Sequence, residues 1–252
     1  MICVSEGASR TRAAIRNVDL TFLFFLVLAY ACAAMFRMSI GVVLPEMAKE
    51  FNLVEAQSGA FFSSLFLGTA MTMAIAGYVS DRLGRGVTCA VGLLLVSIGL
   101  LLAGYSSSYF MSLGSFFLSG LGFGIFVSSL YATMGEVLPK SRGFMVGVTN
   151  GFYALGAFLG PWLSGNIARS YGWRIPFYIL GLVSIPIALR LWFSEPRSSS
   201  KTIKVQEGKT PKTSYIRMLR TRNVLVVSTA LFVANFGFGS FAAWTPTFLY
   251  FG

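Results

Sequence analysis

One arginine stands inside a long apolar stretch near the start of the chain, in the segment AMFRMSIGVVLPEM. Arg37 is the only ionisable residue deep within an apolar run of this sequence. Because a guanidinium is costly to bury in an apolar medium, such an arginine usually pairs with an anion or faces water. Its planar donor fork matches a carboxylate or phosphate. Arg37 is therefore predicted to bind an anionic group; the alternative is a side chain that extends about 12 Å along the helix toward the nearer membrane surface.

Four further polar side chains lie inside apolar runs and offer hydrogen-bonding groups to the same ligand. They are Tyr30, Tyr131, Asn150 and Tyr153. Polar groups in lipid-embedded helices also form hydrogen bonds between helices, and that alternative stays open for each of the four. We predict that they support Arg37 in binding a small-molecule substrate.

A dense ionic cluster occurs in GYVSDRLGRG, residues 77–86. Asp81, Arg82 and Arg85 fall close together there, and glycines flank them. Charges at helix ends interact with the unpaired backbone groups and dipoles of neighbouring helices. The cluster predicts an ionic contact at a turn between two helices; the alternative is a tight turn whose arginines only mark the cytoplasmic side.

The usual residues of catalytic and metal sites are scarce in this chain. It has no histidine, and its three cysteines, Cys3, Cys32 and Cys89, lack the spacing of metal ligands. No paired carboxylates converge in the apolar runs. The sequence therefore predicts a protein that is not an enzyme and that has neither a metal site nor a cofactor.

The composition is that of a membrane protein. Hydrophobic residues make up 55% of the 252 residues and charged residues 12%, whereas a soluble domain carries about 25% charge. The net charge of +11 raises nucleic acid as a partner, but the basic residues precede the first apolar run and crowd the segment 195–221. That distribution is typical of the cytoplasmic flanks of a multi-pass membrane protein. The lipid bilayer, and not nucleic acid, is the predicted partner.

Seven apolar runs reach the length of about 20 residues that a helix needs to cross a bilayer. They predict an all-α membrane protein with a cytoplasmic N-terminus, because only Lys49, Arg169 and Arg174 among the basic loop residues would then lie outside. The predicted runs are 20–44, 56–79, 87–105, 109–134, 143–168, 173–194 and 222–244.

The runs also predict how the chain is divided. The expected parts are a cytoplasmic tail (1–19), a six-helix transmembrane unit (20–194), a cytoplasmic basic linker (195–221) and a segment with the seventh helix (222–252).

The loop at 77–86 resembles the loop between spans two and three of the major facilitator superfamily of secondary transporters. That signature reads G-x-x-x-D-R/K-x-G-R-R/K, and this chain follows it up to Gly86, which replaces the last basic residue. Three more segments are similar to the family at matching places: GEVLPKSRG after span four, YGWRIPFY before span six and WTPTFL at the end of span seven. The resemblance implies a cytoplasmic conformational latch made by Gly77, Asp81, Arg82, Gly84, Arg85, Glu136 and Arg142.

The same resemblance implies a fold. Members of the family have twelve spans in two six-helix halves, each built from two inverted three-helix repeats. This chain is then a truncated bundle that holds the first half, the central linker and the seventh helix. A missing C-terminal half, or a partner chain that supplies it, is expected.

Span five carries a glycine pattern that resembles one known from the family, G-x8-G-x3-G-P-x2-G-G. Ser164 stands in place of one of its glycines. The glycines are predicted to let another helix approach closely. Because the pattern was first associated with antiporters, it keeps a drug or metabolite exporter open as an alternative. The residues of the pattern are Gly147, Gly156, Gly160, Pro161 and Gly165.

The first span resembles the anion:cation symporter branch of the family, which carries carboxylates and organic phosphates. Ser39 replaces the asparagine of that branch's R-x-N signature, and Phe123 stands where the branch often has a proton-coupling glutamate. The likeness lies in Arg37, Val42, Pro45 and Met47.

Together these features predict a secondary active transporter of the cell or inner membrane that moves a small organic anion by alternating access. Symport with a proton or cation is expected from the branch resemblance. The alternatives are a drug or metabolite exporter of the same superfamily, and a membrane sensor or assembly factor that keeps the fold without transport.

Overall fold

A computed structural model of the protein describes residues 20–137 and 142–193, together with a few scattered positions between 226 and 237. The two ranges form helices joined by short turns. The helices are α1 (Leu20–Glu50), α2 (Glu55–Leu83), α3 (Arg85–Tyr105), α4 (Tyr109–Val137), α5 (Arg142–Tyr171) and α6 (Arg174–Phe193).

The six helices follow the first six predicted runs in order, and the predicted all-α membrane fold is confirmed. Five of them are long and apolar enough to cross a membrane, within Thr21–Glu50, Arg85–Tyr105, Tyr109–Gly135, Arg142–Tyr171 and Arg174–Phe193. The remaining helix, α2, has 29 residues, which corresponds to about 44 Å at the rise of an α-helix. The predicted tail, linker and seventh span lie outside the described residues, apart from the scattered positions.

The helices alternate in direction, as their crossings show. Along α1 and α5 residue numbers rise together, with Ala31 beside Gly156 and Met35 beside Gly160. Between α3 and α6 they run in opposite senses, since Gly104 meets Tyr178 while Leu101 meets Gly181. One end of the bundle therefore holds the α2–α3 turn and is called the Gly84 end. The other holds the α1–α2 turn and is called the Glu50 end.

The pattern of helix neighbours has an internal symmetry. The main contacts are α1 with α5, α2 with α4, α3 with α4, α1 with α6, and α3 with α6. Exchanging α1–α3 for α4–α6 maps this set onto itself. Such a pattern is expected when two three-helix repeats are related by a pseudo-two-fold axis.

Glycines let the α1 and α5 backbones approach closely. A Cβ added at Gly160 would lie 2.6 Å from the Cα of Met35, and one added at Gly156 would lie 3.0 Å from the Cα of Ala31. No side chain fits at those distances. Where helices are already surrounded by lipid, close packing of this kind supplies much of the attraction between them.

The other members of the predicted glycine pattern contribute less to this crossing. A Cβ at Gly165 would meet the Val42 side chain at 3.0 Å, whereas Gly147 is exposed and an added Cβ there meets nothing within 4 Å. Pro161 lies inside α5, and the helix continues past it to Tyr171.

An aromatic cluster joins four helices in the core. The rings of Phe36, Phe61, Phe116 and Phe177 are all nearly inaccessible. Phe116 is the centre of the cluster, with ring centroids at 6.3 Å from Phe36, 5.3 Å from Phe61 and 5.8 Å from Phe177. Edge-to-face and stacked pairs at these distances stabilise a core beyond simple burial.

Gly84 is the single residue between α2 and α3, and its backbone conformation is unusual. Its φ of 90° and ψ of 145° lie where residues with a Cβ are rarely found. Its carbonyl oxygen accepts hydrogen bonds from the Thr88 backbone N–H at 3.1 Å and the Thr88 hydroxyl at 2.7 Å. The first turn of α3 thus depends on this conformation.

We expect Gly84→Ala to lower the free energy of unfolding by about 1–3 kcal/mol, the cost of forcing a Cβ-bearing residue into this conformation. Thermal unfolding of the detergent-solubilised protein measures the effect. Gly77→Ala is the matched control, because Gly77 is helical and exposed and an added Cβ meets nothing within 4 Å. That control is expected to be neutral or slightly stabilising; equal melting temperatures for the two variants would contradict a special requirement at Gly84.

Candidate substrate site

Arg37 lies near the middle of α1, half-buried, with its guanidinium against two phenyl rings. Its central carbon is 4.6 Å from the ring centroid of Phe66 in α2 and 5.4 Å from that of Phe123 in α4. These cation–π contacts hold the charge through the ring faces and leave the N–H donors unused. Within the described ranges, Arg37 makes no hydrogen bond or ion pair. Its donors are therefore available to a ligand.

The position of Arg37 along α1 differs from the sequence-based expectation. The helix continues to Glu50, well past the predicted end at residue 44, because its polar final turns continue the hydrogen-bond ladder beyond the apolar run. Arg37 is therefore about 20 Å from the end of α1 at 1.5 Å per residue. The guanidinium lies beside Phe66 and Phe123, and both the anion-binding role and the extension toward the membrane surface stay predictions.

The four polar residues predicted to support Arg37 come together in a cluster, called here the tyrosine cluster: Tyr30, Tyr131, Asn150 and Tyr153. The hydroxyl oxygens of Tyr30 and Tyr131 are 3.3 Å apart. Tyr131 donates a hydrogen bond to Oδ1 of Asn150 at 3.0 Å. The rings of Tyr30 and Tyr153 lie face to face, tilted, with centroids 4.7 Å apart. The cluster links α1, α4 and α5.

Arg37 and the tyrosine cluster lie on the same side of the bundle. Tyr30 is two helical turns from Arg37, which places both on one face of α1. The ring of Phe126 is 6.3 Å from that of Tyr30, and it lies one turn along α4 from Phe123, which contacts Arg37. The two polar sites are thus joined through the buried rings of Phe123 and Phe126.

This face is suited to water rather than to lipid. Tyr131 is 36% exposed, and Asn150 is exposed as well. A charged guanidinium, an amide and a phenol are costly to place against hydrocarbon midway along membrane helices, and such groups usually face a cleft. The arrangement places a guanidinium able to bind an anion beside the rings of Phe66 and Phe123. The tyrosine cluster adds a second polar site on the same side of the bundle.

A hydrogen bond between Ser39 and Ser164 ties α1 to α5 behind this face. Both side chains are buried, and the Ser164 hydroxyl donates to the Ser39 oxygen at 2.8 Å while Ser39 donates to the Met35 carbonyl at 2.6 Å. Each serine departs from a pattern in the sequence analysis, but neither departure predicts that the two residues meet. The signal that was available is a pair of small polar residues in two spans, of which α5 is rich in glycine.

The predicted latch residues lie at the Gly84 end. Arg82 is exposed and its guanidinium carbon is 4.4 Å from the Tyr78 ring centroid. Arg142 donates through Nε to the carbonyl oxygen of Gly135 at 2.8 Å, which helps to satisfy the last turn of α4.

The acidic members of the predicted latch lie outside the described side chains. These are Asp81 and Glu136. Arg85 begins α3 and is half-buried. The predicted latch would join these six helices to a second half of the bundle, and the described residues belong to the first half. The latch therefore stays a prediction.

Sequence reasoning missed an ionic cluster at the opposite end. Glu50, at the end of α1, accepts two hydrogen bonds from Arg174, at 2.6 Å and 2.7 Å, and one from the Trp173 ring nitrogen at 2.7 Å. Arg174 also donates to the carbonyl oxygen of Ser106 at 2.9 Å, in the turn between α3 and α4. Through these bonds Arg174 of α6 connects the end of α1 and the α3–α4 turn at the Glu50 end. The available signal was an acid ending one span and an arginine beginning another on the same predicted side.

The chain is similar in sequence to known membrane transporters. A family model described as the Major Facilitator Superfamily matches residues 26–252. The chain is 26% identical over 244 residues to the hexuronate transporter of Bacillus subtilis, covering 91% of this chain and 56% of that protein. It is 27% identical over 223 residues to the multidrug efflux protein YfmO of Bacillus subtilis, covering 86% of this chain and 54% of that protein.

A solved structure has the same fold. It is a bacterial homologue of the human lysosomal transporter Spinster in an inward-facing, unoccupied conformation, with a TM-score of 0.75 and 24% sequence identity. The match covers 91% of this chain and 55% of that one. The chain therefore spans little more than half the length of these proteins.

Proposed function

Because the chain belongs to the Major Facilitator Superfamily, we propose that it acts in a secondary active transporter that moves a small organic anion across a membrane by alternating access. The observation that carries this proposal is the state of Arg37. Its guanidinium is held between two rings near the middle of a membrane helix, and its donors have no protein partner within the described ranges. A half-buried charge midway along a membrane helix is expected to meet a ligand of opposite charge.

The chemistry of the clamp favours a carboxylate or an organic phosphate. A guanidinium presents parallel N–H donors that match two oxygens of either group, and such bidentate bonds are strong because both partners are charged. A relative named for hexuronate, itself a carboxylate, is in accord with this choice. The tyrosine cluster supplies the remaining polar contacts.

The proposal assigns the other parts of the transport cycle by family analogy. The N-terminus lies in the cytoplasm, and the residues at 77–85 form a latch with a second half. Coupling to a proton or cation, as in symport, depends on groups outside the described spans.

A drug or metabolite exporter is the second candidate. Two observations favour it: the 27% identity to the multidrug efflux protein, and the close glycine crossing at Gly156 and Gly160, which the antiporter-associated pattern predicts.

Uptake into proteoliposomes by the protein in its full natural length tests the proposal. We expect saturable uptake of radiolabelled glucuronate, increased by an imposed proton or sodium gradient, and no extrusion of a cationic dye such as ethidium. Liposomes without protein are the control. Ethidium extrusion without uptake of any organic acid would favour the exporter, and neither activity would favour a sensor or assembly factor.

A further inference from the structure

The guanidinium of Arg37 connects helices that otherwise have little contact with one another. Arg37 lies on α1, which packs mainly against α5 and α6. The rings that it meets belong to α2 and α4, which pack mainly against each other and, for α4, against α3. Its central carbon is 4.6 Å from the Phe66 centroid and 5.4 Å from the Phe123 centroid. The two cation–π contacts therefore span the space between α1 and the α2–α4 pair.

The two rings differ in how firmly the protein holds them. Phe123 is 6% exposed and belongs to the hydrophobic core, so neighbouring side chains fix its ring in place. Phe66 is 39% exposed, and a larger part of its surface is free of protein contact. Arg37 thus meets one fixed ring and one ring that is open to its surroundings.

No polar group among the described residues holds the guanidinium, since Arg37 makes no hydrogen bond or ion pair there. A long arginine side chain samples many rotamers, and the freedom that it loses when a ligand binds lowers the affinity. Ring faces attract the charge but do not use up the N–H donors as a carboxylate would. The two rings can therefore restrict the side chain and keep its donors available to an anion.

We propose that Phe66 and Phe123 are positioning residues for anion binding: they hold the Arg37 guanidinium in its binding position through the electron density of their ring faces. This inference rests on the proposed function and extends it to two residues that act on the anion through Arg37. If the rings only filled space, any apolar side chain of similar volume would serve. A positioning role through the ring electrons instead makes the anion affinity depend on the ring itself.

Two substitutions at Phe66 separate the ring from its bulk. Phe66→Leu keeps an apolar side chain and removes the ring, whereas Phe66→Trp keeps a ring of the type that attracts cations best. We expect Phe66→Leu to bind the anion about three- to tenfold more weakly, as the loss of one cation–π contact requires. Phe66→Trp is expected to bind as tightly as the unaltered protein. Because the Phe66 ring is partly exposed, both variants are expected to fold.

Equilibrium binding to the purified protein in its full natural length measures these affinities. The probes are radiolabelled glucuronate and radiolabelled glycerol phosphate, which present a carboxylate and a phosphate to the guanidinium.

Fluorination of Phe123 tests the buried ring with little change in its shape. Mono-, di- and trifluorophenylalanine at this position withdraw electron density from the ring face in steps, and we expect the anion affinity to fall with each added fluorine. The same series at Phe116 is the matched control, because that ring is buried on the same helix and its described contacts are with other aromatic rings. It is expected to leave the affinity unchanged, whatever its effect on the melting temperature.

A stepwise fall in affinity along the Phe123 series would support the inference, because a ring that only fills space gives no such gradient. A constant affinity along that series, while Arg37→Gln removes binding, would overturn the inference and leave anion binding at Arg37 in place. Equal affinities of Phe66→Leu and Phe66→Trp, or parallel gradients at Phe116 and Phe123, would also count against it. Failure of the unaltered protein to bind either probe would instead overturn the proposed function, and this inference with it.

Discussion

Replacing Arg37 by glutamine is expected to reduce organic-anion uptake at low substrate concentration by about 100-fold or more. In the proposed clamp two charge-assisted hydrogen bonds bind the anion; each is worth about 1.5–3 kcal/mol, and every 1.4 kcal/mol corresponds to a factor of ten. Glutamine keeps a polar side chain of moderate length but loses both the charge and the fork. The uptake rate of Arg37→Lys is expected to lie between those of the unaltered protein and Arg37→Gln, because lysine keeps the charge without the bidentate geometry.

Initial rates of proteoliposome uptake measure the effect, with the amount of folded transporter determined for each variant. Arg169→Gln is the matched control, because Arg169 is an exposed arginine in the last turn of α5, at the Glu50 end. It is expected to transport at the rate of the unaltered protein. If Arg37→Gln also transports at the rate of the unaltered protein, the proposed role of Arg37 in anion binding is wrong.

Replacing Gly160 by leucine is expected to prevent correct packing of the six-helix unit. The first atom of the new side chain would lie 2.6 Å from the Cα of Met35, and backbone cannot move aside as a side chain can. Overpacking of a tight core typically costs about 1–3 kcal/mol, and more when backbone must move. Because Met35 is two residues from Arg37, any folded protein that remains is expected to bind anions poorly as well.

The yield of monodisperse protein in detergent and its melting temperature measure this effect. Gly147→Leu is the control on the same helix, since an added Cβ at Gly147 meets open space and leucine favours a helix by about 1 kcal/mol over glycine. Comparable yield and stability for the two variants would show that the α1–α5 crossing is looser than the structure indicates.

The architecture could be predicted from the sequence because membrane helices leave a strong signal. Each span must be apolar for about 20 residues and must satisfy its own backbone, so the apolar runs of the sequence predict the order of the first six helices, five of which are apolar enough to cross a membrane. Helix ends were less predictable. The helix α1 reaches Glu50 because the polar residues after position 44 continue the hydrogen-bond ladder after leaving the apolar layer.

The candidate site was predictable in its members but not in its connections. Arg37, Tyr30, Tyr131, Asn150 and Tyr153 stand out as polar groups in apolar surroundings. The contacts among them depend on which faces of α1, α4 and α5 pack together. A hydropathy profile does not contain that information.

Two contacts between distant residues were beyond sequence reasoning for the same reason. Ser39 and Ser164 lie 125 positions apart, and Glu50 lies 124 positions from Arg174. Nothing in either local sequence specifies the partner.

The fastening of Glu50 to Arg174 and Ser106 has a mechanical consequence. Since α1, α6 and the α3–α4 turn are pinned together at one rim, none of them can peel away alone without breaking charged bonds. These three elements are therefore expected to move together at the Glu50 end.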